Sequence, residues 1–274
     1  MNGMNIESQV KKAQSGDKQA LENIVFEIQD NIYYLAMRML FRHEDASEAT
    51  QEILIIIITK LSTFQFKSKF TTWVYRVASN YLLSTKKLLE KDPALSFDDF
   101  KFDLESDLQA PHAIQNSPDY DLLLNELRIM CTMAMLLCLD QKHRLAYILG
   151  DVFELDHNEA SECLSLSPAN YRKQLSRARN KVHEFTSSSC GLVNSSAKCS
   201  CDKKLTGAIQ RQRVMPENII FATKSEDSYQ HVKHKISELR DDLKTVSLQT
   251  SIPILKSPDN FVNVVESLMH DKFF

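Results

Sequence analysis

Apolar residues recur at spacings of three and four along most of this chain, which is the period of an amphipathic α-helix. The pattern runs without a break from about residue 6 to residue 90. It is clearest in one stretch, where the apolar positions are Ala20, Leu21, Ile24, Val25, Ile28, Ile32, Leu35, Ala36, Met39 and Leu40. We therefore predict a bundle of helices over residues 6–90.

The next helix of this bundle carries both a start signal and a long apolar run. Asp45 is predicted to be its N-cap, with Glu48 as the capping-box partner, and the helix is predicted to end near Leu61. The run Ile53–Ile58 extends beyond one helix face. We expect part of the run to be buried and part to be left for a contact with a partner.

The helical pattern stops between residues 91 and 120, where three prolines and a string of acidic residues predict an interdomain linker. It resumes near residue 122 and predicts a second helical domain over residues 121–186. A segment rich in Ser and Cys follows, and the extension 187–274 has one convincing helical stretch, at about 228–243. Its apolar end, FVNVVESLMHDKFF, is expected to dock rather than to remain a free coil.

Composition supports a helical fold. Five glycines and seven prolines in 274 residues leave little material for hairpin turns. We predict an all-α protein with two small helical domains, an acidic linker and a partly ordered C-terminal extension. The motifs GxxxxGK, GxGxxG, HExxH and GxSxG do not occur, so the sequence favours a protein that is not an enzyme.

Charge is placed unevenly along the chain, although the formal net charge is only -3. Residues 98–119 carry six acidic residues against one lysine, whereas residues 172–181 carry five cations and no acidic residue. The beginning of the sequence is polar, and the longest apolar run is too short to cross a bilayer. We expect no membrane insertion and a cytoplasmic location.

The basic segment belongs to a predicted helix-turn-helix. A short helix at about 158–164 is followed by a turn at Ser165 and a second helix, which Ser167 caps and Pro168 enters in its first turn. Ser165 stands where a backbone of positive φ often requires glycine. One face of the second helix is apolar and predicted to be buried: Tyr171, Leu175, Ala178, Val182 and Phe185.

The opposite surface of this helix has the chemistry of a DNA-reading element. Asn170, Lys173, Gln174 and Arg177 share that surface, and Asn, Gln and Arg side chains can bond base edges in the major groove. Arg172, Arg179 and Lys181 flank them and are predicted to contact phosphates, and Ser167 at the start of the helix belongs to the same predicted DNA-binding set. The alternative is a basic helix face that is simply solvated. The agreement of cap, turn and apolar face favours DNA binding.

Two segments resemble the sigma-70 family of RNA polymerase sigma factors. LDQKHRLAYILGDVFELDHNEASECLSLSPANYRKQLSRARNK is similar to the family's region 4. SGDKQALENIV and EDASEATQEILIIIITKLSTFQFKSKFTTWVYRVASNYLLSTKK resemble region 2 of its extracytoplasmic-function group. The resemblance implies a DNA-binding subunit that directs core RNA polymerase to promoter DNA, with an anti-sigma factor as a further partner.

The resemblance also implies roles for residues of the first domain, 6–90. Contact with core polymerase falls to Asp45, Glu48, Gln51 and Glu52, although without the family these would be an ordinary exposed polar face. Binding and melting of the downstream promoter element falls to Phe66, Lys67, Lys69, Phe70, Thr71, Trp73, Arg76, Asn80, Lys86 and Lys87. Cations that follow the strand, with aromatic rings that hold an unstacked base, suit this task. The loop 65–70 is the candidate for base capture, but Trp73 and Phe70 also fit a buried helix face.

Six cysteines fall into two groups. Cys131, Cys138 and Cys163 are predicted to be small core residues on helices. Cys190, Cys199 and Cys201 lie in a polar stretch and could hold zinc if His183, His231 or His234 supplied a fourth ligand. The spacing matches no standard zinc motif, and free surface thiols are an equal alternative. No other cofactor is predicted.

A stand-alone helix-turn-helix regulator is the competing class of protein. Such a regulator needs a dimerisation or ligand-binding domain, and the first ninety or so residues show no pattern typical of either. The sequence therefore favours the sigma factor.

Overall fold

The computed structural model describes residues 6–85, 88, 90, 95–109, 114–223, 228–258 and 260–262. In this part of the chain the regular elements are helices and no β-strand is formed. The predicted all-α fold is confirmed. No described helix is long and apolar enough to cross a membrane.

The described residues 6–85 form four α-helices: α1 (Ile6–Gln14), α2 (Lys18–Leu40), α3 (His43–Lys60) and α4 (Phe70–Ser84). Asp17 caps α2, since its carboxylate accepts the N–H of Ala20 at 3.0 Å. Of the ten apolar positions predicted to line the bundle, eight are buried and two, Leu21 and Leu40, are half-buried. The three-and-four spacing therefore identified the core face of α2.

The predicted start of α3 is wrong. The helix begins at His43, Arg42 is its N-cap residue, and Asp45 lies inside the first turn with 6% of its surface exposed. The chain reverses at Phe41, whose φ of +69° places Arg42 in the extended conformation that an N-cap requires. Asp45 instead lies 3.6 Å from the guanidinium of Arg42.

The described chain divides into two compact units, each drawn from segments that are far apart in sequence. The first contains the described residues within Met1–Asp92, Leu155–Lys173 and Ile254–Phe274. The second contains those within Pro93–Glu154 and Gln174–Pro253. The predicted division into successive domains along the chain differs from these units.

A helix lies where only a linker was predicted. α5 (Phe97–Glu105) starts at Ser96, whose hydroxyl accepts the N–H of Asp99 at 3.0 Å. Its Phe100 and Leu104 are buried, and the ring of Phe100 stacks on Phe185 at 5.5 Å between centroids. Of its acidic residues, Asp98 and Asp99 are exposed, while Asp103 and Glu105 are half-buried and pair with cations, so the segment is amphipathic and belongs to the second unit.

The region 121–186 contains α6 (Tyr120–Leu136), α7 (Gln141–Tyr147) and a π-helical turn (Ile148–Val152), followed by α8 (His157–Cys163) and α9 (Pro168–Ser189). The buried guanidinium of Arg144 closes the end of α6. It donates to the carbonyl oxygens of Leu136, Leu137 and Leu139 at 2.9 to 3.0 Å. These carbonyls would otherwise lack partners at the helix terminus.

The C-terminal extension contributes α10 (Cys201–Gln210), α11 (Tyr229–Ser237) and α12 (Asp241–Thr250). The single helix predicted at about 228–243 is wrong, because the chain leaves the helix after Ser237 and starts another at Asp241. One apolar cluster joins this extension to α6: Leu123, Leu124, Leu127, Leu205, Ala208, Val214 and Tyr229. The extension is therefore part of the core of the second unit.

The last described residues pack on α2 within the first unit. The N–H of Ser257 donates to Asp30 at 3.0 Å, the N–H of Phe261 donates to Gln29 at 3.3 Å, and the Phe261 side chain is buried. This agrees with the expectation that the apolar end docks, as far as Val262. Residues 263–274 of that prediction lie outside the described residues.

Candidate nucleic-acid interface

The helix-turn-helix forms as predicted, from α8, a tight turn and α9. Asp156 caps α8, and its carboxylate accepts the N–H groups of Asn158 and Glu159 at 2.8 and 3.0 Å. The bond from the Glu159 amide is the main reason that the pKa of Asp156 lies below its usual value. Ser165 has a φ of +54°, so the turn has the left-handed backbone expected there.

The start and the buried face of α9 are also confirmed. The hydroxyl of Ser167 accepts the N–H of Asn170 at 3.2 Å, and Pro168 is the first helical residue. All five residues predicted to form the buried face are at most 5% exposed: Tyr171, Leu175, Ala178, Val182 and Phe185. Their burial leaves the opposite surface of the helix to solvent.

That surface is cationic. Among the predicted contacts, Asn170, Arg172, Lys173, Arg177 and Lys181 are exposed. The cations of this set form no ion pair with any residue in the described part of the chain: Arg172, Lys173, Arg177 and Lys181. Gln174 is half-buried and its amide donates to the carbonyl oxygen of Lys142, which holds the side chain against α7.

Arg179, one of the predicted phosphate contacts, is paired with a carboxylate of the second unit. Its guanidinium forms an ion pair with the carboxylate of Asp151, and Nε lies 3.0 Å from each carboxylate oxygen. The Asp151 side chain is 3% exposed, whereas that of Arg179 is 47% exposed. A buried carboxylate needs such a partner, so we assign Arg179 to the packing of α9 on the π-helical turn.

The loop before α4 exposes one of its aromatic rings. Phe66 is 37% exposed and has a φ of +56°, which is rare for a residue with a side chain. The Lys11 ammonium lies 5.3 Å from its ring centre. Gln14 fixes the start of the loop by donating to the carbonyl oxygens of Leu61 and Phe64 at 2.8 and 2.9 Å.

The other predicted rings are core residues. Phe70 and Trp73 are buried and stack on each other at 5.7 Å, and both contact Phe64. Phe64 in turn packs against Phe66 at 4.7 Å. Because both rings are buried, neither Phe70 nor Trp73 can stack on a base in this conformation.

The polar residues of the downstream set fall into two groups. Lys67, Thr71 and Asn80 are exposed, while Lys69 and Arg76 are paired with acidic residues of α8. Lys86 and Lys87 lie outside the described residues.

α8 packs directly on α4 within the first unit. Lys69 pairs with Glu159, and this hydrogen bond raises the pKa of the lysine. Arg76 lies 3.5 Å from Glu162, and the thiol of Cys163 contacts the carbonyl oxygen of Thr72 at 3.5 Å. Positions 69, 72 and 76 share one face of α4, so α8 covers a strip that includes two of the predicted DNA contacts.

The exposed polar face of α3 contains three of the four predicted polymerase contacts, namely Glu48, Gln51 and Glu52. Asp45 is buried and does not share their exposure. The apolar run behaves as expected: Ile53, Leu54 and Ile57 are buried, while Ile55, Ile56 and Ile58 are half-buried. The exposed polar face of α3 is therefore continued toward the end of the helix by a partly exposed apolar surface of isoleucines.

The structure gathers the three cysteines of the extension with a fourth, Cys131 of α6, around one cavity. Cys199 is buried, and Cys131, Cys190 and Cys201 are half-buried. Burial raises the pKa of all four thiols, to about 11 for Cys199. Among the described residues, no group of three or more Cys, His, Asp or Glu side chains is arranged so that it could hold a metal ion.

The three histidines proposed as a fourth ligand do not line this cavity. His183 is within 3.3 Å of the Thr245 hydroxyl, and His231 and His234 are exposed. Sequence reasoning assigned Cys131 to an ordinary core position, because nothing local distinguishes it from Cys138. It also missed Glu159 and Glu162, although their spacing of three places both on one side of α8.

Comparison with known proteins identifies the region around α2–α4. The Sigma-70 region 2 family model matches residues 25–87. The ECF RNA polymerase sigma factor SigW of Bacillus subtilis is 26% identical over 182 residues, which is 66% of this chain and 96% of that protein. The ECF RNA polymerase sigma-E factor of Haemophilus influenzae is 26% identical over 178 residues, or 63% of this chain and 90% of that protein. A solved structure of CnrH in complex with the cytosolic domain of CnrY matches with a TM-score of 0.45 and 18% identity, covering 63% of this chain and 91% of the matched chain.

Proposed function

The chain belongs to the extracytoplasmic-function group of the sigma-70 family and is a sigma factor of transcription initiation, and from this premise we propose how it acts. It binds core RNA polymerase, recognises promoter DNA through α9 and melts the downstream element with the loop before α4. It has no catalytic site of its own and works with polymerase in the cytoplasm. One observation carries the proposal. Ser167 caps α9, one face of α9 is buried, and the opposite face presents cations to solvent.

The upstream element is read by α9. Asn170, Lys173 and Arg177 present long polar side chains suited to base edges, while Arg172 and Lys181 lie to the sides and suit phosphates. Gln174 joins the reading set only if it leaves the Lys142 carbonyl. Arg179 is left out of it, because its guanidinium is committed to Asp151.

Core polymerase is contacted by the exposed face of α3. Glu48, Gln51 and Glu52 supply the polar contacts, and the half-buried isoleucines supply apolar surface next to them. Asp45 supports this face from within the helix rather than by direct contact, because it is buried. An anti-sigma factor remains a prediction from the family resemblance.

Melting depends on capture of an unstacked base, and Phe66 is the ring placed to do it. Its exposed ring is backed by Phe64, and its left-handed backbone is a strained conformation of the kind that functional loops retain. Lys67 is exposed beside it and suits the backbone of the captured strand. The strained turn, the exposed ring and the adjacent cation therefore support one role.

Replacing Phe66 by leucine is expected to weaken open-complex formation by the holoenzyme. Stacking of one base on an aromatic ring contributes about 1 to 3 kcal/mol, so the loss should be roughly 5- to 150-fold. Phe66→Tyr keeps the ring and should stay close to wild type. Permanganate reactivity of the melted thymines, measured on a promoter mapped beforehand, gives the comparison. Equal activity of the leucine and tyrosine variants would contradict base stacking.

The contact of α8 with α4 bears on the same step. Lys69 and Arg76 can bind DNA only after Glu159 and Glu162 release them, so we propose that α8 leaves α4 before melting. Exposed ion pairs of this kind are weak, so their release costs little.

Changing both acidic residues, as Glu159→Gln with Glu162→Gln, should therefore raise the affinity of the free factor for single-stranded promoter DNA. The expected gain is about 2- to 30-fold, since two pairs are removed. The matched control is Glu27→Gln with Glu217→Gln, which removes the same charge from exposed positions elsewhere. Fluorescence anisotropy with a labelled oligonucleotide measures both. A gain no larger than that of the control would rule out release of α8 as a step.

Run-off transcription tests the function as a whole. Core RNA polymerase is combined with the full-length protein and fragments of the source genome, and the protein is omitted in the control. Discrete starts that require the protein are the expected result, and they also identify its promoters. Specific duplex binding without transcripts and without co-elution with core polymerase would instead favour a stand-alone regulator.

A further inference from the structure

Four of the six cysteines line one small cavity in the second unit. They come from three places: Cys131 from α6, Cys190 from the end of α9, and Cys199 and Cys201 from the start of α10. The cavity has a volume of about 30 Å³. That is room for a single small guest, because one water molecule needs roughly 10 to 15 Å³ by the same measure.

The backbone next to Cys190 is hydrogen-bonded to the backbone of the Cys199 segment. The N–H of Gly191 donates to the carbonyl oxygen of Cys199 at 3.0 Å, which ties the two cysteine segments together. A Cβ at Gly191 would lie 2.5 Å from that oxygen, so only glycine fits there. The N–H of Val193 donates to the carbonyl oxygen of Cys190 at 3.0 Å, which closes a tight turn directly after the cysteine.

Two buried cations share the wall of the cavity with the thiols. They are Arg128 and Lys204, which are 1% and 4% exposed. Lys204 donates to the carbonyl oxygens of Asp103 and Ser106, and the nearest carboxylate, that of Asp103, is shared with Arg211 and Arg213. The guanidinium of Arg128 likewise has partners, the side chains of Asn125 and Ser251, so both cations are hydrogen-bonded where they lie beside the cavity.

We propose that Cys131, Cys190, Cys199 and Cys201 bind one thiophilic divalent ion of the zinc class. Zinc takes four thiolates in a tetrahedron at about 2.3 Å, and such a complex would carry two negative charges in a cavity that Arg128 and Lys204 also line. The thiols rotate inward to reach that distance, and each one that binds releases its proton to solvent. The ion then joins α6 to the extension. This site is independent of the proposed DNA contacts.

Metal analysis of the full-length protein, purified with reductant and loaded with zinc, tests the proposal. One zinc per chain is expected, and cobalt should give the absorption of a tetrahedral thiolate site. Bound zinc should protect four of the six thiols from alkylation, and peptide mapping should place them at 131, 190, 199 and 201. Substoichiometric zinc with all six thiols unprotected would overturn the site.

Cys131→Ser with Cys138→Ser as control tests the new ligand. Both cysteines are half-buried and lie seven residues apart, but only Cys131 lines the cavity. Loss of one thiolate should weaken zinc binding roughly 100-fold in the first variant and leave the second unchanged. Equal affinities would show that Cys131 is not a ligand. If the Cys131 variant does not fold, the cobalt spectrum and the protection map of the wild-type protein decide the question.

Discussion

Arg179→Ala is expected to lower the free energy of unfolding by about 2 to 3 kcal/mol. The substitution leaves the carboxylate of Asp151 buried without its guanidinium partner. Breaking a fully buried pair costs about 3 to 5 kcal/mol. Because the side chain of Arg179 is half exposed, we expect a smaller loss of stability for this pair. Denaturation in urea, followed by circular dichroism, measures the change.

Arg177→Ala is the matched control, because it removes the same side chain two positions away on α9. Arg177 is exposed and forms no ion pair within the described chain, so its loss should change stability by less than about 0.5 kcal/mol. It should instead weaken promoter binding by about 5- to 150-fold, or 1 to 3 kcal/mol. If Arg179→Ala were as stable as wild type but bound DNA as poorly as Arg177→Ala, Arg179 would be a DNA contact after all.

Glu126→Ala is expected to destabilise the second unit by about 3 to 5 kcal/mol. The Glu126 carboxylate is 2% exposed and accepts the backbone N–H groups of Ile220, Phe221 and Ala222 at 2.7 to 3.0 Å. Each buried N–H left without an acceptor costs about 1 to 3 kcal/mol. Thermal unfolding measures the loss, and hydrogen exchange at 220–222 should become faster.

Glu126→Gln separates hydrogen bonding from simple packing. Glutamine has almost the same shape and keeps one acceptor oxygen, but its NH₂ group faces amides that are themselves donors. The loss should therefore lie between wild type and the alanine variant, at about 1 to 2 kcal/mol. Equal stability of the alanine and wild-type proteins would show that the extension does not depend on this carboxylate. The same result would weaken the view that residues 187–253 are built into the second unit.

Much of the fold could be predicted because its signals are local. The cap at Ser167, the proline after it and the positive φ of Ser165 lie within four residues of one another. The buried face of α9 follows from spacing along a single helix, and so does the core face of α2. The exposure of Asn170, Lys173 and Arg177 follows in turn, since one side of a helix is exposed when the other is buried.

Other predictions failed where a local signal had a competing explanation. Asp45 has the chemistry of an N-cap, but the reversal at Phe41 starts the helix three residues earlier than a cap at Asp45 would. The acidic segment before α6 has the composition of a linker, yet Phe100 and Leu104 give part of it an apolar face that packs. Composition describes the average of a segment, while a helix is stabilised by the few residues on one side.

By itself the sequence determined the all-α class, the helix-turn-helix with its reading surface, and the resemblance to sigma factors. The tertiary structure alone decided which side chains remain available for contacts. Arg179 pairs with Asp151, Lys69 pairs with Glu159, and Cys131 lines one cavity with cysteines about sixty to seventy residues away. The physical reason is that helix formation depends on neighbours three or four residues apart, whereas the pairing of charges and thiols depends on which distant segments the core brings together.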